Sequence, residues 1–200
     1  MPPAVTGYLD RFSLRNVAGI LTGGGVAVLP TDTIYGLHCA ASNLDAVEMI
    51  RRLKGRGAGG GFILLASDMS MVDSVVARWP DASRERCAEI WPAPLTAILP
   101  ARRAYPSVLS PKGRVAVRVP ASEHLRALIA IVGEPIVSTS ANISGRNPMT
   151  RIADIRRAFP GLDAYVSKRG RPPGSPSTIV DFTRPAPRLV RAGIYPWAAA

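Results

Sequence analysis

The chain is short of the residues that usually announce a metal centre or a covalent framework. It has two cysteines, Cys39 and Cys87, widely separated, and two histidines, His38 and His124. That supply gives no disulfide framework and leaves a zinc site short of its usual ligands, so no protein-held metal is expected. Aromatic residues are only 6% of the chain, too few to lay out an extended base-stacking surface. No apolar run approaches the roughly 20 residues that cross a bilayer, and no charged-then-apolar leader opens the chain. Gly7-Tyr8-Leu9-Asp10 is already mixed in character. A cytoplasmic protein without membrane contact is expected. Acid is scarce as well: 14 Asp and Glu face 25 Lys and Arg, a net charge of +11. Lysine is rare even so, confined to Lys54, Lys112 and Lys168, and the remaining cations are arginine. An excess of this size points to phosphate-bearing partners, whether nucleotide, RNA or both. The cations are spread along the chain, which weakens the case for one continuous RNA surface.

What is present suits one globular domain. Two hundred residues with 47% hydrophobic and 20% charged content can bury a sizeable core. A single domain over 1–200 is expected, ordered from about 8 to 195, without an internal repeat or a boundary. The most informative stretch is Lys54-Gly55-Arg56 with Gly57-Ala58-Gly59-Gly60-Gly61 behind it. A helical pattern through Leu44, Val47, Ile50 and Leu53 leads in, and the apolar run Phe62–Ala66 leads out as a strand. Glycine backbone approaches ligands closely and its N–H groups bind anions. The stretch therefore reads either as a polyphosphate clamp or as a surface turn after a helix with cations at its end. Gly55-x-Gly57-x-x-Gly60 also matches a dinucleotide fingerprint, but that motif follows a strand and opens a helix, the reverse of the order here.

In chain order, Tyr8–Leu21 reads as an amphipathic helix stopped by Gly23-Gly24-Gly25, and Val26–Leu29 as a buried strand closed by Pro30. Thr31–Leu37 reads as a polar turn whose hydroxyls either cap the next element or hold a small ligand. Ser42 or Asn43 caps the helix that ends at Lys54. Helices follow over Ser70–Arg78 and Asp81–Ile90, then the stiff Trp91-Pro92-Ala93-Pro94 and a strand at Leu95–Leu99. In Val115–Val119 the alternation puts Arg114, Ala116 and Arg118 on one face, meeting solvent or lining a cavity. Ser122 caps a helix over Glu123–Val132 that Gly133 ends. A strand at Pro135–Val137 then runs into the hydroxyl- and amide-rich turn Ser138–Gly145. Such a turn suits a base, a ribose or phosphate oxygens, and with a lysine nearby it also resembles an amidase nucleophile site. Ile152–Phe159 is a short helix, Arg171–Pro176 an irregular loop, Ser177–Asp181 and Arg188–Arg191 strands, and Pro196 onward a frayed tail. The loose alternation gives a single α/β (α+β) domain: a twisted mixed β-sheet flanked by helices.

Taken together, six strings in this order resemble the YrdC/TsaC family of L-threonylcarbamoyladenylate synthases. They are Pro30-Thr31-Asp32-Thr33-Ile34-Tyr35-Gly36-Leu37, Lys54-Gly55-Arg56, Trp91-Pro92-Ala93-Pro94-Leu95-Thr96, Val117-Arg118-Val119-Pro120, Ser138–Gly145 and Ser177-Thr178-Ile179-Val180-Asp181. Two departures stand out: Gly57 replaces the proline that commonly follows Lys-x-Arg, and Ala93 replaces a glycine. They bear on the shape of the phosphate loop. The chain stops soon after Arg191, so the extra C-terminal domain of longer members is not expected.

The resemblance implies a basic concave cavity and a defined reaction. Threonine and bicarbonate give a carbamate that attacks the α-phosphate of ATP, releasing pyrophosphate and threonylcarbamoyl-AMP. Other proteins then transfer the threonylcarbamoyl group to an adenosine beside the tRNA anticodon. The implied partners are ATP with Mg²⁺, L-threonine, bicarbonate, the downstream transfer proteins, and tRNA or double-stranded RNA. By motif position, Lys54 and Arg56 hold the triphosphate as the catalytic pair, with Ser140, Asn142, Arg114 and Arg191 on the ATP side. Thr33, Arg118, Ser138 and Ser177 line the threonine pocket, with Arg118 pairing the carboxylate. Three other readings stay open. One is an RNA-binding protein without catalysis, another a carbamoyl-transfer domain of related adenylate chemistry, the third the amidase.

Overall fold

A computed structural model describes residues 5–8, 13–55, 62–80, 82–143, 145–167, 172–184 and 186–198. Ten strands are described: β1 (Val5–Tyr8), β2 (Ala27–Pro30), β3 (Tyr35–Ala40), β4 (Ile63–Leu65), β5 (Leu95–Pro100), β6 (Arg114–Arg118), β7 (Ile136–Ser140), β8 (Ala164–Ser167), β9 (Thr178–Asp181) and β10 (Arg188–Arg191). They form one mixed sheet in the order β1-β8-β2-β3-β7-β4-β6-β5-β9-β10. The helices are α1 (Ser13–Thr22), α2 (Leu44–Leu53), α3 (Met69–Val75), α4 (Ser83–Ile90), α5 (Glu123–Val132) and α6 (Ile152–Ala158).

Local chemistry accounts for the helix ends. Asn43 accepts a hydrogen bond from Ala46 N at 2.9 Å and so starts α2. Ser122 starts α5 in the same way, and Gly133 ends it at φ 81°, a conformation that costs glycine nothing. Leu14, Val17, Ala18 and Leu21 of α1 form one apolar stripe, and Leu125, Leu128, Ile129 and Val132 of α5 another.

The two faces of the sheet meet different fates. On one, Leu37, Cys39, Leu64, Val115, Val117, Val137 and Val180 pack against side chains of α2, α3, α4 and α6 in the larger core. On the other, α1 and α5 cover only Ala27, Leu29, Leu65, Ile136, Ala164 and Val166. The rest of that face lies open, and its strands carry the polar residues of the site.

Several elements differ from the sequence reading. Tyr8 belongs to β1 rather than to the first helix, which starts at Ser13. Only Thr31–Ile34 forms the turn after β2. Tyr35–Ala40 continues as β3, buried at all six positions, so it carries no polar alternation and its Gly36 and His38 resemble loop residues. Ser138, Thr139 and Ser140 belong to β7, not to a turn. Ser138 and Ser140 share the open face, which tolerates hydroxyls in a strand, and Thr139 points to the other side. β8 is a short strand parallel to both β1 and β2 and gives little signal. The tail is not frayed at Trp197, whose ring meets Phe182 edge-on at 5.7 Å with the Arg86 guanidinium 4.3 Å from its centroid.

Candidate functional site

The open part of the sheet forms a cavity of about 460 Å³, within the range that small-molecule sites occupy. Its floor is the row of side chains that alternation directs to this face: Gly36 of β3, Ser138 and Ser140 of β7, Ile63 of β4, Arg114, Ala116 and Arg118 of β6, Ile98 of β5 and Ile179 of β9. Thr31, Thr33, Ser177 and Arg191 complete the polar rim.

The Thr31–Ile34 turn is rigid. Thr31 Oγ1 donates to Ile34 O at 2.7 Å and accepts from Thr33 N and Ile34 N at 3.0 and 3.1 Å. Thr31 and Thr33 hydroxyls meet at 2.8 Å. Thr33 is thus held with its hydroxyl toward Arg118, whose Nη1 donates to it at 3.3 Å.

Arg118 is 3% exposed. Its Nη2 lies 3.3 Å from Asp32 Oδ1, yet that oxygen and Arg118 Nε both lack a hydrogen-bond partner among the described residues. Asp32 is anchored on its other side, where Oδ2 accepts from Ala121 N at 3.0 Å. Burial, with a smaller push from the Arg191 charge, holds the Arg118 pKa below the ordinary arginine value, while Asp32 opposes the shift. Arginine starts so high that the group stays charged. Arg118 lines the cavity, and a guanidinium held by a misaligned counter-ion can pair there with a carboxylate.

Lys54 caps α2, and its ammonium is bound to the end of β7. It donates to Ser140 O at 2.7 Å, to Asn142 Oδ1 at 2.6 Å and to Asn142 O. It is 2% exposed and is not among the residues lining the cavity. It meets the site through Ser140, whose hydroxyl lies 3.5 Å from Nζ. Arg56 and the Gly57–Gly61 loop lie outside the described residues.

On the far wall, Arg191 Nη2 donates to Ser177 O at 2.7 Å and to Ser177 Oγ at 3.2 Å. Ser177 Oγ also meets Thr96 Oγ1 at 2.9 Å. Arg114 is about half exposed and pairs with Asp181 at 3.4 Å. The structure therefore brings Thr33, Arg114, Arg118, Ser138, Ser140, Ser177 and Arg191 around one cavity, with Lys54 and Asn142 directly behind Ser140. Sequence reasoning passed over Thr31, Asp32, Thr96 and Asp181 as supports. All four stand inside the quoted motifs, where neighbouring hydroxyls and carboxylates were the available signal. Among the described residues no three His, Cys, Asp or Glu side chains are grouped to hold a metal ion.

Residues 19–193 match the Sua5/yciO/yrdC family, described as telomere recombination. The chain belongs to this family. A threonylcarbamoyl-AMP synthase of Nitrosococcus oceani is 40% identical over 159 residues, 78% of this chain and 85% of that protein. One from Halorhodospira halophila is 36% identical over 187 residues, 92% of this chain and 93% of that protein. Among solved structures, P. abyssi Sua5 complexed with L-threonine superposes with a TM-score of 0.88 at 30% identity. That alignment covers 95% of this chain but 58% of the other, so this chain spans under two thirds of it. The family members thus share the fold that builds the cavity.

Proposed function

We propose that this Sua5/YciO/YrdC family member makes L-threonylcarbamoyladenylate from L-threonine, bicarbonate and ATP, releasing pyrophosphate. The observation that carries the reading is Arg118, a cation whose Nη1 meets the Thr33 hydroxyl where both line a cavity of ligand size. A carboxylate on Arg118 and a hydroxyl beside Thr33 are the two polar ends of threonine. Its amine then points into the remaining volume, where Ser138 and Ser140 stand.

The chemistry needs positioning more than a nucleophilic side chain. Threonine nitrogen attacks the bicarbonate carbon, and loss of water leaves the carbamate. A carbamate oxygen then attacks the α-phosphorus, and the bond to the pyrophosphate oxygen breaks. Charge on the transferring phosphates is met by cations, a role that falls to Arg114, Arg191, Lys54 and, by its place in the motif, Arg56. Lys54 does so through the β7 end, where Ser140 and Asn142 receive the nucleotide. Mg²⁺ bound with ATP would neutralise part of the triphosphate charge. Ser177, fixed by Thr96 and Arg191, closes the amino-acid side. The net charge of +11 suits tRNA, the acceptor downstream, and the cytoplasm is the compartment that goes with this reading.

The test is pyrophosphate release with ATP, Mg²⁺ and bicarbonate while the amino acid is varied. Threonine should stimulate release well above valine, which keeps the shape but leaves the polar groups around the hydroxyl unpaired. Equal stimulation by the two would remove the threonine reading.

A further inference from the structure

His38 is an anomaly that the mechanism leaves unused. It is fully buried in β3, and neither Nδ1 nor Nε2 has a hydrogen-bond partner among the described residues. The carbonyls of Leu29 and Val137 stand close enough to attract the ring without meeting hydrogen-bond geometry. A buried polar group left in this way costs free energy, so such a group calls for a reason. Burial above all, and the Arg118 charge in lesser part, lower its pKa to about 3, so the ring is uncharged at neutral pH.

Its place in the sheet supplies that reason. His38 pairs in register with Ala27 of β2 on one side and Ser138 of β7 on the other. Ala27 lies under α1 and α5, whereas Ser138 lines the cavity. The imidazole therefore stands at the wall between core and site. It also fills the space a side chain at position 36 would take, since a Cβ on Gly36 would lie 2.6 Å from His38 Nε2. Gly36 itself lines the cavity. The Ser138 hydroxyl, across the strand pair and half-buried, makes no hydrogen bond of its own among the described residues.

We propose that His38 is a positioning residue for the amino-acid substrate: when the cavity fills, a ring nitrogen accepts the Ser138 hydroxyl proton and turns the serine oxygen toward the substrate. A hydroxyl rotates to suit its partners. With its proton engaged by the ring, the Ser138 oxygen presents lone pairs to the cavity and accepts from an ammonium or hydroxyl of the amino acid. Arg118 handles the carboxylate, so the two residues read opposite ends of the same molecule. This rests on the threonine reading above.

The experiment compares His38→Leu, His38→Gln and wild type by steady-state kinetics and thermal melting, each also in a Ser138→Ala background. Leucine has similar bulk and no polar atom, so a purely structural histidine predicts a higher Tm and unchanged kinetics. The proposal predicts the same rise in Tm together with a threonine KM raised roughly 2- to 12-fold, the worth of one hydrogen bond. The KM for ATP stays within about twofold. Glutamine, whose amide reaches the position of Nε2, should recover most of the loss. In the Ser138→Ala background His38→Leu should add nothing to KM, because the histidine acts through that hydroxyl. An unchanged threonine KM in His38→Leu, or an equal effect with Ser138 absent, overturns the proposal alone. Wild-type protein indifferent to threonine overturns the function reading and this proposal with it.

Discussion

Replacing Arg118 with alanine separates two effects that the structure assigns to one side chain. The guanidinium is 3% exposed, 3.3 Å from Asp32 and 3.3 Å from the Thr33 hydroxyl, with Nε unpartnered. Losing a buried charge-assisted contact to a carboxylate costs about 2–4 kcal/mol, roughly 30- to 1000-fold in the KM for threonine. The carboxylate keeps its charge through the reaction, so its binding is uniform and kcat should change little. The same substitution leaves Asp32 without its cation in the cavity wall. That costs about 1–3 kcal/mol of stability, at roughly 2–4 °C of Tm per kcal/mol for a chain of this size. Arg118→Lys divides the two: a point charge restores the pairing with Asp32 and most of the Tm, but cannot meet a carboxylate in two-pronged fashion. Its threonine KM should remain high. Kinetics with threonine varied at saturating ATP, then the reverse, together with a melting curve, read all of this. A folded Arg118→Ala protein whose threonine KM is within threefold of wild type would refute the assignment.

Three further outcomes are expected. Lys54→Met strips the Ser140 and Asn142 carbonyls of their donor, so Tm and ATP affinity should fall together; a stable variant with normal ATP affinity contradicts the role. His38 has its folded pKa lowered from 6.5 to about 3, so its stabilising contribution is full above pH 6.5 and is lost as pH falls from 6.5 toward 3. Urea unfolding at pH 7 and pH 5 should show wild type losing on the order of 2 kcal/mol from this group, a slope absent in His38→Leu; identical slopes would show that the ring is not buried uncharged. Trp197→Ala loses its contacts with Phe182 and Arg86 and should cost about 1–2 kcal/mol in melting experiments without moving either KM. A Tm equal to wild type would return the tail to the solvent.

Elements whose signals are local were readable beforehand. An α2 cap at Ser42 or Asn43, of which the structure uses Asn43, the α5 cap at Ser122 with Gly133 at its end, and the split of β6 into a core face and an arginine face follow from periodicity and capping alone. Elements whose signals depend on what lies opposite were not. β3 is buried at all six positions, so alternation vanishes, and Gly36 and His38 look like punctuation. The Ser138-Thr139-Ser140 segment looks like a turn because its strand faces a cavity, and a cavity wall tolerates hydroxyls that a core rejects. The cations of the site were named in advance, but their partners were not: that Arg118 is held by Asp32 and Thr33, or that Lys54 grips the end of β7, requires strands distant in sequence to be placed side by side. His38 could not be read at all, because only the sheet register puts it beside Ser138 and under Gly36.

The most direct test of the central claim follows the carbon. The protein is incubated with ATP, Mg²⁺, L-threonine and ¹³C-bicarbonate, and the nucleotides are separated and weighed by mass spectrometry. The expected product is an adenylate that contains threonine and gains the labelled carbon, formed in step with pyrophosphate and missing when threonine or bicarbonate is omitted. Threonine-independent pyrophosphate release, or an adenylate without the labelled carbon, would contradict it.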